Sequence, residues 1–162
     1  MCLSKCREIV PVENIVVYKF LEEVNSDKKY YSGCGLRSPY YRYYYKIGER
    51  CDITENEPYN VYNWIGDNIE GGAFHTFANL EDAIKDCVDY IDDDMGWTDE
   101  FMSDGNKFAI VKCTIPKDSR HVWEGNYYGR PAYASTSLII DEIVTDDWKE
   151  IKQMRKDMFP DE

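Results

Sequence analysis

The amino-acid sequence points to a single α+β domain: a mainly antiparallel, twisted sheet with one central amphipathic helix and a C-terminal helix. Between Asn79 and Ile91, Leu80, Ala83, Ile84, Cys87, Val88 and Ile91 recur at three- and four-residue spacing, and Glu81, Asp82, Lys85, Asp86 and Asp89 fall largely opposite. That pattern is one apolar and one wet face of a helix. Before and after it stand NIVVYKFL (14–21) and KFAIVKCTI (107–115), β-branched and aromatic runs of strand length. The order strands, helix, strands, helix suits α+β packing better than alternating parallel units.

Composition sets the outer bounds. A chain of 162 residues can bury one core unaided, so residues 1–162 read as one domain, with 1–8 and 159–162 loose. The apolar fraction of 43% and the 14 tyrosines against 6 phenylalanines describe a folded chain with many half-buried rings. Thirty-one acidic against nineteen basic residues give a formal charge of -12, which repels phosphate backbones and anionic membranes. Direct nucleic-acid binding is disfavoured; an acidic DNA mimic is permitted by charge, and so is acidity that serves solubility alone. No run is long and apolar enough to span a membrane.

The N-terminus MCLSKCREIV lacks the apolar segment of a signal peptide, so a reducing cytoplasm is expected for the six cysteines. Cys87, on the apolar helix face, and Cys113, within a strand run, read as core residues. Cys2 and Cys6 make a lone C-x3-C pair without a second ligand pair, and no metal is expected.

In chain order, 14–21 forms a first strand, apolar on both faces. The turn formers Asn25, Ser26, Asp27, Gly33 and Gly35 then reverse the chain. SPYYRYYYKI (38–47) is a tyrosine strand ended by Gly48, and 49–54 pairs with a neighbour. Asn60–Ile65 is of uncertain type. Ala73–Phe77 is a short buried strand with Phe74 and Thr76 on one face and Ala73, His75 and Phe77 on the other. Asn79 stands as N-cap of the helix that follows. After the acidic stretch 92–104, a solvated loop without calcium-loop spacing, come the strand 107–115, a short strand 120–124, a GNYYGRP loop and a strand over 132–144 antiparallel to it. Thr145 caps a last helix, with Trp148, Ile151, Met154 and Met158 as its apolar stripe.

Chemistry is less legible. No P-loop, G-x-G-x-x-G, H-E-x-x-H, G-x-S-x-G or C-x-x-C occurs. In the tyrosine strand, Tyr41 and Tyr43 share one face and Arg42 the other. The run reads either as a stacking platform with a phosphate-answering cation or as a cover for a core. His75, just before a helix, reads either as a group titrating near neutrality or as a hydrogen-bonded structural histidine. Tyr128 and Arg130 in the GNYYGRP loop complete the candidate ligand-binding set of Tyr41, Arg42, Tyr43, His75, Tyr128 and Arg130.

GGAFHTFANLEDA, then IVKCTIPKDSRHVWEG, then YASTSLIIDEI resemble a loosely defined set of uncharacterised phage and gut-bacterial proteins. The shared features are a Gly-x-x-His-x-Phe turn, a strand ending in Ile-Pro-Lys and a Tyr-Ala-Ser strand, over about the C-terminal half. The resemblance implies a phage or mobile-element accessory protein. A second likeness is to ADP-ribosyltransferases, small folds around a split sheet that bind NAD. Ser135, Thr136 and Ser137 look like that family's Ser-Thr-Ser strand, His75-Thr76-Phe77 like its aromatic turn, and Glu142 like its acid. Lys19 stands where that family carries arginine or histidine, and Glu142 follows the Ser-Thr-Ser segment unusually closely. The expected function is thus non-catalytic binding of a small, nucleotide-type ligand or of a host protein, in a bacterial cytoplasm or a virion, without cofactor and with a homo-oligomer permitted. The alternative is an NAD-consuming transferase using His75, Ser135 and Glu142; a virion structural protein is a further one.

Overall fold

The computed structural model describes residues 2–24, 35–38, 44–53, 63–65, 68–70, 73–91 and 107–161. The strands are β1 (Cys2–Ile9), β2 (Ile15–Val24), β3 (Gly35–Arg37), β4 (Tyr44–Tyr45), β5 (Arg50–Asp52), β6 (Asn63–Ile65), β7 (Asn68–Glu70), β8 (Phe74–Phe77), β9 (Lys107–Ile115), β10 (Val122–Tyr127), β11 (Arg130–Ser135) and β12 (Ser137–Thr145). The helices are α1 (Leu80–Asp89) and α2 (Trp148–Met158). The strands run β5-β12-β9-β2-β8-β11-β10-β1-β7-β6, with β3 and β4 branching from β2. The fold is broadly α+β, dominated by its antiparallel sheet.

The sheet turns on β2. One edge of this apolar strand pairs with β9 along its length, from Ile15 opposite Ile115 to Glu23 opposite Lys107. The other edge is divided: Glu22–Val24 pairs with β3, and β8 is joined only through Tyr18 opposite Phe77. The sheet therefore parts into two halves between β2 and β8. A single residue, Thr136, carries the chain from β11 in one half to β12 in the other, although β8, β2 and β9 lie between those strands in sheet order. Such a step requires the halves to fold toward each other, the chain switching sheets at a bend. Hydrogen bonds hold that bend: Thr136 N donates to His121 O (3.0 Å), Ile53 N donates to Thr136 O (2.8 Å), and Ser135 Oγ donates to Ser137 O (2.8 Å). The single strand expected over 132–144 is two strands for this reason.

The inner face packs Val17, Leu21, Val111, Cys113, Leu138 and Ile140 of one half against Phe74 and Val122 of the other, with Tyr45, Cys51 and Ile53. On the outer face, Ile84, Cys87, Val88 and Ile91 meet Phe20, Phe108, Ile110 and Ile151 of α2. Ala83 joins Phe77, Trp123, Ala132 and Leu3. Each such aliphatic side chain removed from water contributes about 1.5–3 kcal/mol. The alternation expected for β8 is present: Phe74 lies in the inner cluster, Ala73 and Phe77 in the outer one.

Several elements depart from the sequence expectations. Residues 1–8 are expected to be loose, but Cys2–Ile9 form β1, which pairs with β10 and β7. Only Leu3 and Cys6 of its described side chains are buried, and a register shift between Ser4 and Arg7, with Lys5 at φ 52°, breaks the period-2 pattern that would have announced it. Gly125 faces this bulge, where a Cβ would stand 2.7 Å from Cys6 Sγ and 2.8 Å from Ser4 O. The GNYYGRP segment is a hairpin: Tyr127 pairs with Arg130 across Tyr128 (φ 48°) and Gly129 (φ 78°), two left-handed residues as a type I′ turn requires. Asn79 makes no side-chain cap; its Nδ2 donates instead to Asp82 Oδ2 (3.4 Å). Asp147, not Thr145, caps α2, accepting from Lys149 N (3.0 Å) and Glu150 N (3.4 Å).

Candidate functional site

Cross-strand neighbours share a level and a face of a sheet. Arg7 of β1 lies opposite Glu124 of β10, Glu124 opposite Tyr133 of β11, and Tyr133 opposite Thr76 of β8. Continuing the Tyr18–Phe77 register by one residue puts Lys19 of β2 at the level of Thr76. These residues alternate with the outward-packed Tyr18, Phe77, Ala132, Ala134 and Trp123, so all five occupy the inner face. A polar row, Arg7–Glu124–Tyr133–Thr76–Lys19, thus crosses a largely apolar surface and passes over the parting of the sheet.

Burial is graded along the row. The Arg7 side chain is 77% exposed and that of Glu124 34%; Tyr133 is half-buried; Thr76 is 0% and Lys19 9% exposed. At the outer end a groove of about 260 Å³ is lined by Lys5, Arg7, Glu124, Asn126, Pro131 and Tyr133. Arg7 pairs with Glu124 across it. Burial, with the Glu124 carboxylate beside it, raises the Tyr133 pKa above its ordinary value, so its hydroxyl remains a donor at neutral pH.

At the inner end, Lys19 Nζ donates to the Tyr45 hydroxyl at 3.3 Å and lies 5.3 Å from that ring's centroid. Burial lowers its pKa to about 8, against the opposing influence of Cys113 and Cys51. No carboxylate pairs with it among the described residues. Thr76 Oγ1 is buried without a hydrogen-bond partner among the described residues.

The residues expected from sequence lie elsewhere. Tyr41, Arg42, Tyr43 and the acidic stretch 92–104 fall outside the described residues. His75 is 6% exposed on the outer face of β8, its Nδ1 2.9 Å from Ala73 O, where it can only donate to that carbonyl. Tyr128 stands at the hairpin tip, 85% exposed. Arg130 reaches toward Asp82 of α1, Nε to Oδ1 3.8 Å. His75 lies opposite Ala134, and Arg130 is four residues along that strand, roughly 13 Å away. The three therefore do not share one site. Ser135 is buried on the inner face, opposite to that of His75, with its hydroxyl bound to Ser137 O. Glu142 is exposed on β12, with β9 and β2 between it and β8. His75, Ser135 and Glu142 are thus not brought together.

Sequence reasoning passed over Lys5, Arg7 and Tyr133, and met Lys19 and Thr76 only through the transferase likeness. The signal available for Lys19 was a charge midway along an apolar run; the others depend on strand pairing between distant segments. Among the described residues, no cluster of three or more acidic, histidine or cysteine side chains could hold a metal, and no helix is long and apolar enough to cross a membrane. No protein-family model, curated protein or solved structure matches the chain.

Proposed function

We propose that this chain is a non-catalytic binding module for a small, anionic, ring-bearing ligand of nucleotide type, taken in the groove beside Tyr133. The observation that supports this reading is the polar row running inward from the groove. In the groove Lys5 stands beside the Arg7–Glu124 ion pair, leaving a net positive charge there on a molecule of net charge -12, which favours a small anion over a polyanion that would meet the whole acidic surface. The Tyr133 ring offers a stacking face, worth about 1–3 kcal/mol for a base, and the Asn126 amide offers both a donor and an acceptor. The resemblance read from the sequence motifs would make this an accessory role, and a host protein is the alternative partner.

Calorimetric titration of the full chain with adenosine monophosphate tests the reading. Binding is expected, weakened about 5- to 150-fold by Tyr133→Ala, the loss of one stacked ring, and weakened also by Arg7→Ala. Absence of binding, or binding indifferent to both substitutions, refutes it. The alternative reading from the sequence likeness is an NAD-consuming transferase, although His75, Ser135 and Glu142 are not brought together. Incubation with NAD decides it: turnover by the wild type that is abolished in Glu142→Gln would replace the binding module with an enzyme.

A further inference from the structure

We propose that Lys19 and Thr76 form an oxyanion subsite at the inner end of the row, receiving the phosphate or carboxylate group of the ligand whose ring lies against Tyr133. The inference rests on the groove reading and adds to it the chemistry of the ligand's charged end. Its first support is a buried amine with no acid beside it among the described residues. Lys19 projects from the inner face between Val17 and Leu21 and donates to the Tyr45 hydroxyl. An ammonium ion so placed has lost its water without gaining a counter-charge, and a bound anion supplies one. Among the described residues the titratable groups around it are Tyr45, Cys51 and Cys113, none of which is a carboxylate.

The second support is independent. Thr76 is 0% exposed and its hydroxyl has no partner among the described residues, an arrangement that ordinarily costs free energy and is uncommon in native folds. A hydroxyl can donate to an oxyanion beside an ammonium. The third is position. Thr76 and Lys19 sit at one level on the two strands that part, next to Tyr18 opposite Phe77, the one register pair between those strands. Tyr133 is one strand from Thr76 and two from Lys19, roughly 5 and 10 Å. A ring with an anion on a short arm spans that distance.

The test follows the Lys19 amine in the intact protein by NMR of isotope-labelled lysine, the resonance assigned through Lys19→Met. The probes are inorganic phosphate, acetate and adenosine monophosphate. Binding is expected to raise the Lys19 titration midpoint from about 8 toward the ordinary lysine value, with net proton uptake. Thr76→Val is expected to weaken the effect roughly tenfold, the loss of one hydrogen bond to a charged group, without lowering the melting temperature. A response to phosphate and the nucleotide assigns a phosphate ligand; a response to acetate alone assigns a carboxylate.

Tyr133-dependent nucleotide binding that leaves Lys19 unmoved overturns the subsite and leaves the groove reading intact. A Lys19 response to adenosine monophosphate that is indifferent to Tyr133→Ala upholds an oxyanion site at Lys19 and removes the groove reading. Absence of binding by calorimetry together with an unmoved Lys19 resonance, for all three probes, overturns both. A lower melting temperature for Thr76→Val would show the hydroxyl engaged within the fold, and that too overturns the subsite.

Discussion

Lys19 makes stability depend on pH in an unusual direction. Its unfolded-state pKa is the ordinary 10.5 and its folded value about 8. Between the two, the unfolded chain holds a proton that the folded chain has released, so stability rises with pH. From pH 7 to 9 the gain is about 1 kcal/mol. Above the ordinary thiol value of 9.0 the sign reverses, because burial pushes the Cys87 thiol well up and the Cys113 thiol up to about 12: unfolded thiols ionise while folded ones cannot. Urea unfolding should therefore find maximum stability near pH 9. Lys19→Met should lack the rise and be more stable at pH 7, by about 1–3 kcal/mol. A wild-type profile flat between pH 7 and 9 would mean a solvated amine. The sequence could not show this residue's importance, because NIVVYKFL is apolar on both faces and strand alternation alone does not say which face holds the interior. The tyrosines at 41 and 43 drew attention by number, whereas Lys19 matters through what surrounds it.

At the level of elements, α1 and α2 are fastened through Asp89, which accepts from Lys85 Nζ at 2.6 Å and from Arg155 of α2 at 3.2 Å. Burial pushes the Asp89 pKa up, but Lys85 and Arg155 outweigh it and hold the carboxylate below its ordinary 3.8. A depressed carboxylate contributes stability above its unfolded value and loses it as pH falls through the folded one, so this contribution fades below pH 3.8. The side chain is 35% exposed, and solvent screening keeps the contribution small. Asp89→Asn should cost about 0.5–1 kcal/mol at neutral pH and nothing once the wild-type acid is protonated; thermal melts at pH 7 and pH 2.5 would show whether the difference closes. Helix α1 was legible because its apolar face repeats over ten residues, and β9 because its run is bounded by turn chemistry; both stand where expected. Strand β1 and the β10–β11 hairpin were not legible. One is polar and bulged, and the other turns on a tyrosine at positive φ, where Asn-Gly would have signalled the turn. The Asn79 cap failed because capping depends on where one amide points, and Asp82 takes it.

For the whole molecule, the order strands, helix, strands, helix fits a flat sheet and a folded-over one equally well. What distinguishes them is the bend at Thr136, held by backbone bonds to His121 and Ile53 that link segments far apart in sequence. Folding over creates the inner core, and that core couples the halves: Leu138 of β12 shares it with Phe74 of β8 and Val122 of β10. Leu138 is fully buried, so Leu138→Ala should cost about 2–5 kcal/mol, the transfer term plus an incompletely filled cavity. Because the cavity opens between the halves, the loss should not stay in the strand that carries it. Amide hydrogen exchange should show β10 and β11 losing as much protection as β9, since one cooperative unit opens at one free energy. Protection lost from β9 and β12 alone, with β10 and β11 unchanged, would mean that each half holds itself together. The groove would then be carried by the β8–β1 half without help from β2, and Lys19 could not be part of the same site as Tyr133. Cooperativity of the core and continuity of the polar row are in this way one physical condition, because both require β2 and β8 to remain side by side below the point where the sheet parts.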